Sequence, residues 1–191
     1  MDDVLWPSNV VVARYANIKP EDITDFHINE IENLTSEQKR RILERFADPE
    51  HFKTLQLFDK VERVMNVVLN YGAKFEIRSN CFSQEVADYK YGVLKHGFPY
   101  IQDSQINLNV IDPKNTLKKS LPDNTIIFID DSPYNIHTST ARMNIVPRWP
   151  WNKTEKAIQL MSGHDAIFTD PWRMDLLADT IGWLLETYSL G

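Results

Sequence analysis

Thr125-Ile126-Ile127-Phe128-Ile129-Asp130-Asp131-Ser132-Pro133 is the stretch on which the reading of the fold turns. Five β-branched or aromatic residues run without a charged interruption, and two carboxylates, a hydroxyl and a proline follow at once. A half-buried strand alternates apolar and polar residues. Unbroken apolarity over a strand's length predicts burial on both faces, as in a parallel sheet covered by helices. Ser132 followed by Pro133 also fits an N-cap and first helical position, which turns the chain from strand into helix. Ligands of open parallel sheets bind beyond the carboxyl ends of the strands. The acid pair therefore falls where chemistry is expected.

Working outward, Asn144-Ile145-Val146 and Ala166-Ile167-Phe168 predict two further short strands, and Trp172 to Tyr188 a closing helix. Upstream, Lys74 to Ile77 predicts a strand followed by Arg78-Ser79-Asn80. Ser83 to His96 predicts a helix ending near Gly97-Phe98-Pro99, and Ile106 to Ile111 a strand. Asp112-Pro113 then leads into a short helix from Lys114. Asp59 to Tyr71 carries Val61, Val64, Met65, Val68 and Leu69 at helical spacing, with Gly72 as C-cap. From Ser8 to about Lys60 the patterning is helical and shows no convincing strand. Lys19-Pro20-Glu21-Asp22-Ile23 reads as a turn into a helix. Thr35-Ser36-Glu37-Gln38 opens another, through Arg41, Leu43 and Phe46, which stops near Asp48-Pro49. Strands alternating with helices predict a parallel α/β sheet. On that reading residues 1–7 and 61–191 form the core and residues 8–60 an inserted helical cap.

A chain of 191 residues can bury such a core without staples. The net charge of -6 argues against a partner that is a nucleic acid polymer, so a phosphorylated substrate would need local positive groups or a metal. Cys81 is the single cysteine, which excludes an intramolecular disulfide and suits a reducing compartment. Nothing next to it in sequence would activate its thiol. The five histidines show no metal-ligand spacing. No apolar run approaches the length of a membrane span, and Met1-Asp2-Asp3 is acidic where a signal peptide is basic. The expectation is a cytoplasmic protein with no membrane partner; oligomeric state is not legible.

The polar residues at the strand ends come in a fixed order: Asp2-Asp3, Ser79-Asn80, Lys114, Asp130-Asp131. Two adjacent carboxylates repel unless a proton or cation intervenes. A hard cation such as Mg²⁺ takes oxygen ligands and keeps substrate phosphate in its shell. A hydroxyl can hold a phosphate oxygen, and an ammonium offsets the phosphoryl charge. Each element also has a plainer reading. Asp131-Ser132-Pro133 is an ordinary helix start, and Ser79-Asn80 an ordinary loop. Lys114 is a solvated turn lysine with Lys118 and Lys119 as competitors, and the acidic start a terminus. Their order at the ends of alternating strands favours a phosphoryl-transfer site.

That order resembles the haloacid dehalogenase superfamily. Asp2-Asp3-Val4-Leu5 is similar to the tail of its Asp-x-Asp-x-Val/Thr-Leu motif, Ser79 to its second motif, Lys114 to its third and Ile129 to Pro133 to its acidic fourth. Ile23-Thr24-Asp25-Phe26 and Trp149-Pro150-Trp151-Asn152 resemble the small 5'-nucleotidase and 5'(3')-deoxyribonucleotidase group. The resemblance spans essentially the whole chain. It implies a Rossmann-like, three-layer parallel sheet with a small helical cap, and a Mg²⁺-dependent phosphomonoesterase that forms an aspartyl-phosphate. Its substrate would be a small phosphate ester such as a nucleoside monophosphate. Asp130 would be the side-chain metal ligand, Asp131 a ligand through water or an acid supporting the ligands from behind, and Asp2 the general acid/base with its carbonyl facing the metal. Ser79 and Asn80 would hold the phosphate, with Lys114 as charge partner. Trp6 and Phe26 are candidates for contact with a base, packing being the alternative; Trp149-Pro150-Trp151 reads as packing.

Two departures follow. In this register the family's nucleophile falls just before Met1, and the central first strand of the sheet is missing. The expectation is that Met1 is the x of Asp-x-Asp within a longer reading frame. Ser132 stands where the deoxyribonucleotidases carry a basic residue, which weakens any transfer of their nucleotide specificity. Other classes are a catalytically inactive relative that binds a nucleotide or a protein partner, and a receiver-type signalling module. The receiver has its acid pair at the start of the chain and no helical insertion.

Overall fold

A computed structural model describes residues 1–112 and 121–189 as a mixed α/β protein whose strands pair in parallel. The helix expected from Lys114 lies outside the described residues. In chain order the elements are α1 (Ser8–Tyr15), α2 (Ser36–Ala47), α3 (Pro49–Lys53), α4 (Val61–Asn70), β1 (Ile77–Cys81), α5 (Gln84–Gly97), β2 (Ile106–Val110), β3 (Ile127–Ile129), α6 (Pro133–His137), β4 (Met143–Pro147), α7 (Glu155–Met161), β5 (Ala166–Thr169) and α8 (Met174–Ser189). Short 3₁₀ turns at Pro20–Asp22 and Ile28–Glu30 connect α1 to α2.

Local chemistry sets the helix ends. The Thr35 hydroxyl accepts from Gln38 N while the Gln38 side chain accepts from Thr35 N, a capping box that starts α2. Ser83 and Ser132 cap α5 and α6 through the amides of Val86 and Asn135, and Pro133 occupies the first turn of α6. Gly72 follows α4 at φ 63°, a left-handed conformation that suits a residue without Cβ.

The strands form two sheets. β1 pairs with β2, Ile77 opposite Ile106 through Cys81 opposite Val110. β4 lies between β3 and β5, with Ile129 opposite Ile145 and Val146 opposite Phe168. β1 corrects the expected strand over Lys74 to Ile77: Ser79 and Asn80 lie inside the strand rather than after it. Ile77, Ser79 and Cys81 form its buried side, so a hydroxyl occupies a position that an apolar residue usually fills. β3 is also shorter than its apolar run, with regular pairing only over Ile127–Ile129.

Two apolar clusters carry most of the packing. Val12, Ile23, Ile31 and Ile42 from the helical N-terminal part pack with Val64, Ile145, Trp149, Leu177 and Ile181. Trp6, Phe52, Ile77, Cys81, Val86 and Leu94 make the second, around β1 and α5. Ile129, at the end of β3, touches both. Each large side chain so buried contributes about 1.5–3 kcal/mol. Among the described residues no helix is long and apolar enough to cross a membrane.

Candidate active site

Residues 1–6 form a tight loop that brings the first acids between the two sheets. Leu5 N donates to Met1 O at 2.8 Å and Asp3 N to Trp6 O at 2.8 Å. Asp3 sits at φ 52°, a left-handed conformation that Asp tolerates better than most residues. On one side the Met1 ammonium donates to Arg78 O of β1 at 3.3 Å. On the other, Trp149 Nε1 donates to Asp3 O at 2.7 Å. The turn between them sends the two neighbouring carboxylates into different surroundings.

Asp2 faces β1 and α5. Its Oδ1 accepts from Trp6 Nε1 at 2.8 Å and Ser8 Oγ at 3.0 Å, and its Oδ2 from Ser79 Oγ at 3.0 Å and Lys90 Nζ at 2.6 Å. Lys90 Nζ also donates to Ser79 Oγ at 3.1 Å and lies 4.6 Å from the Phe52 ring centroid. Burial pushes the Asp2 carboxyl up, but the Lys90 and Met1 ammonium groups and the hydrogen bonds outweigh it and hold Asp2 well below the usual carboxylate range.

Asp3 faces the other way, accepting from Asn9 N at 3.0 Å and Asn9 Nδ2 at 2.7 Å. Burial, and next the charge of Asp131, push its carboxyl well above the ordinary value against those two bonds. Asp130 and Asp131 leave the end of β3. Asp130 N donates to Ile145 O at 3.2 Å, while its Oδ1 accepts from Ser132 N at 2.9 Å and Asn135 Nδ2 at 3.0 Å. Asp131 Oδ2 accepts from Trp151 Nε1 at 3.0 Å, and Asn152 Nδ2 ties Asp131 O (3.0 Å) to Pro147 O (2.7 Å). Trp149 and Trp151 stack with centroids 5.4 Å apart, so the indole pair both packs and aims its N–H groups at the acid residues.

The structure thus joins Asp2 to Ser79 across 77 positions and sets Asp3 beside Asp131. Asn80 follows Ser79 in β1 opposite Asn109, and its carbonyl accepts from Ser79 Oγ at 3.4 Å. Trp6 is fully buried against Phe52 with its indole on Asp2. Phe26 is not at Asp2 but in a crevice with Pro133, Tyr134 and Trp151. Lys114 lies outside the described residues. Among the described residues no three of the His, Cys, Asp and Glu side chains converge in a group able to hold a metal ion. Sequence reasoning missed Lys90, Asn9 and the role of Asp3. Lys90 carried a signal: it is a lysine on the apolar stripe of α5 formed by Val86, Ala87 and Leu94, and it is buried with them. No family model matches the chain, and no curated protein matches it significantly.

Proposed function

We propose that this chain belongs to a Mg²⁺-dependent phosphomonoesterase of haloacid dehalogenase type, acting on a nucleoside monophosphate or a similarly small phosphate ester. The observation that carries the reading is the meeting of Asp2 and Ser79. Motif order singled out both residues, and their side chains hydrogen-bond at 3.0 Å next to a buried lysine. The matching fold is a Rossmann-like sheet. In such a fold β1–β2 and β3–β4–β5 would be the two wings of one sheet, with residues 8–60 as the cap.

The donor chemistry suits a magnesium ion, although among the described residues the acids do not converge into a group able to hold one. Asp3 and Asp131 are buried like charges that a proton or a cation must reconcile, and the acid set offers only the oxygen ligands that Mg²⁺ takes. Asp130 and Asp131 would be its ligands and Asp2 would face it through the backbone carbonyl, since the Asp2 side chain turns to Ser79 and Lys90. When bound it would neutralise charge on the phosphoryl oxygens. Ser79 and Asn80 hold the phosphate, and Lys114 counters its charge. A carboxylate two positions ahead of Asp2, which residues 1–191 do not contain, attacks phosphorus. As the ester P–O bond breaks, the departing alkoxide takes a proton by way of Asp2 from the Asp2–Lys90 pair, in which the proton rests on the ammonium and Asp2 is ionised. Water then passes a proton to Asp2 as it attacks the acyl phosphate, which releases phosphate and restores the carboxylate.

The test is phosphate release from a nucleoside monophosphate panel by a chain with Asp two positions ahead of Asp2. Release is expected with Mg²⁺ and is lost in Asp130→Asn; full release after EDTA refutes the reading. One observation favours a second reading, a relative that binds without turnover. Trp6, Ser8, Ser79 and Lys90 already engage Asp2. Nucleotide binding by calorimetry without turnover in the same longer chain selects it.

A further inference from the structure

α6 starts directly after the acid pair and ends on a histidine. His137, its last residue, is exposed, and its ring lies 5.8 Å, centroid to centroid, from that of His164 in the turn between α7 and β5. We propose that these two imidazoles form a binding site for a divalent transition-metal ion of the zinc class. The site is distinct from the acids, and nothing in it depends on the phosphohydrolase reading.

Both histidines are anchored to the same helix end. His137 Nδ1 lies 2.9 Å from Leu160 O, and because a carbonyl only accepts, Nδ1 carries the hydrogen. In the neutral ring the lone pair is then on Nε2. Histidines that bind metals are held in this way: a carbonyl takes the outer N–H, fixes the tautomer and orients the ring. His164 N donates to Met161 O at 3.1 Å, which seats its backbone on the carbonyl next to that of Leu160. Leu160 and Met161 close the last turn of α7, and the carbonyl end of a helix favours positive charge.

Zinc bonds an imidazole nitrogen at about 2.0–2.1 Å, which puts each ring centre about 3.2 Å from the ion and two ring centres on one tetrahedral ion about 5 Å apart. The observed separation exceeds this by less than about 1 Å. The terminal torsion of histidine is soft, His137 is exposed and His164 half-buried, so the rings can turn by that amount. Among the described residues no third His, Cys, Asp or Glu joins the pair, so water completes the coordination. Imidazole suits zinc, copper and nickel, whereas Mg²⁺ takes oxygen ligands, so the pair selects a different metal from the one that carboxylates suit.

Zinc titration of the untagged chain, followed by NMR of the imidazole rings, tests this. At about one equivalent of Zn²⁺ the ring signals of His137 and His164 are expected to move together, and those of His96, exposed on α5, to stay in place; Mg²⁺ should move none of them. By calorimetry, His137→Gln and His164→Gln should each weaken Zn²⁺ binding by about tenfold or more, with His96→Gln like the parent. Zinc that shifts neither ring, or only one, overturns the site, as does an affinity unchanged in either variant or equally reduced in His96→Gln. Melting curves without metal show whether a variant has lost its fold; if one has, the paired ring shifts in the parent decide alone.

Discussion

His51 is a polar side chain with every reason to be apolar. It sits on α3 at 1% exposure, with Tyr15, Phe46 and Phe52 packed around it at centroid distances of 5.8, 6.2 and 5.0 Å. Neither ring nitrogen has a hydrogen-bond partner among the described residues. Burial, followed by the charge of Arg45, lowers its pKa from 6.5 to about 4 against the opposing pull of Asp2 and Asp48. The sign follows. Below pH 6.5 the unfolded chain takes up a proton that the folded chain refuses, so stability falls with pH until the folded histidine also protonates near 4. At about 1.4 kcal/mol per pKa unit the loss amounts to about 3 kcal/mol. His51→Phe removes the titration and the two unsatisfied nitrogens, whose burial costs about 1–3 kcal/mol. The larger ring gives back about 1 kcal/mol in overpacking. Urea denaturation of parent and variant between pH 7.5 and 4 is the assay. The variant should be level with or above the parent at pH 7.5 and draw ahead by about 3 kcal/mol more at pH 4. Groups that titrate alike in both proteins cancel in this difference. Parallel stability curves would refute the assignment of a neutral, desolvated His51.

Lys90→Met strands the Asp2 carboxylate beside Ser79 and is expected to cost about 3 kcal/mol in the same assay; a loss below about 1 kcal/mol would mean that water replaces the ammonium. The raised Asp3 carboxyl makes the parent lose stability as pH rises above 3.8 toward its folded value. Asp131→Asn removes the neighbouring charge, so the variant should lose less over that range; Mg²⁺ should raise the melting temperature of the parent and not of the variant. Thr35→Ala breaks the capping box that starts α2 and should lower stability by about 1 kcal/mol by chemical denaturation, with Thr35→Ser close to the parent.

Most of the helices were legible because their signals are local. Thr35 and Gln38, Ser83, and Ser132 with Pro133 act within one turn of themselves, and they start the helices that the structure shows. β1 was placed four residues early at its end because Arg78, Ser79 and Asn80 do not resemble strand residues. Ser79 is buried there only because Asp2 and Lys90, remote in sequence, satisfy its hydroxyl. The same non-local logic hid Lys90. A buried lysine costs too much to expect until its carboxylate is known to arrive from the other end of the chain. Asp2 and the Asp130-Asp131 pair were legible through motif order. Asp3 was not, because its importance depends on a left-handed backbone that turns it away from Asp2.

Asp2 and Asp3 show how a single turn separates two proton affinities. They are neighbours in sequence, yet one carboxyl is held below the ordinary range and the other well above it. Environments that push paired acids apart are how sites divide ionised and protonated roles. In a chain that begins at Met1 the division has two charged contributors on the Asp2 side, the Lys90 and Met1 ammonium groups, beside the Trp6 hydrogen bond, and the two charges can be told apart. In a chain extended ahead of Asp2 only the Lys90 charge remains. Acetylating the Met1 amine removes its charge while leaving an N–H to donate to Arg78 O. The Asp2 carboxyl should then titrate higher but remain below the usual range, because Lys90 at 2.6 Å still faces it. Carbon-13 shifts of the side-chain carboxyl, followed through the acid range in both forms, measure this directly. An unchanged Asp2 would mean that the Met1 charge contributes nothing and that Lys90 and the hydrogen bonds hold the carboxylate. An Asp2 returned to ordinary values would mean that the lysine is not its partner in solution.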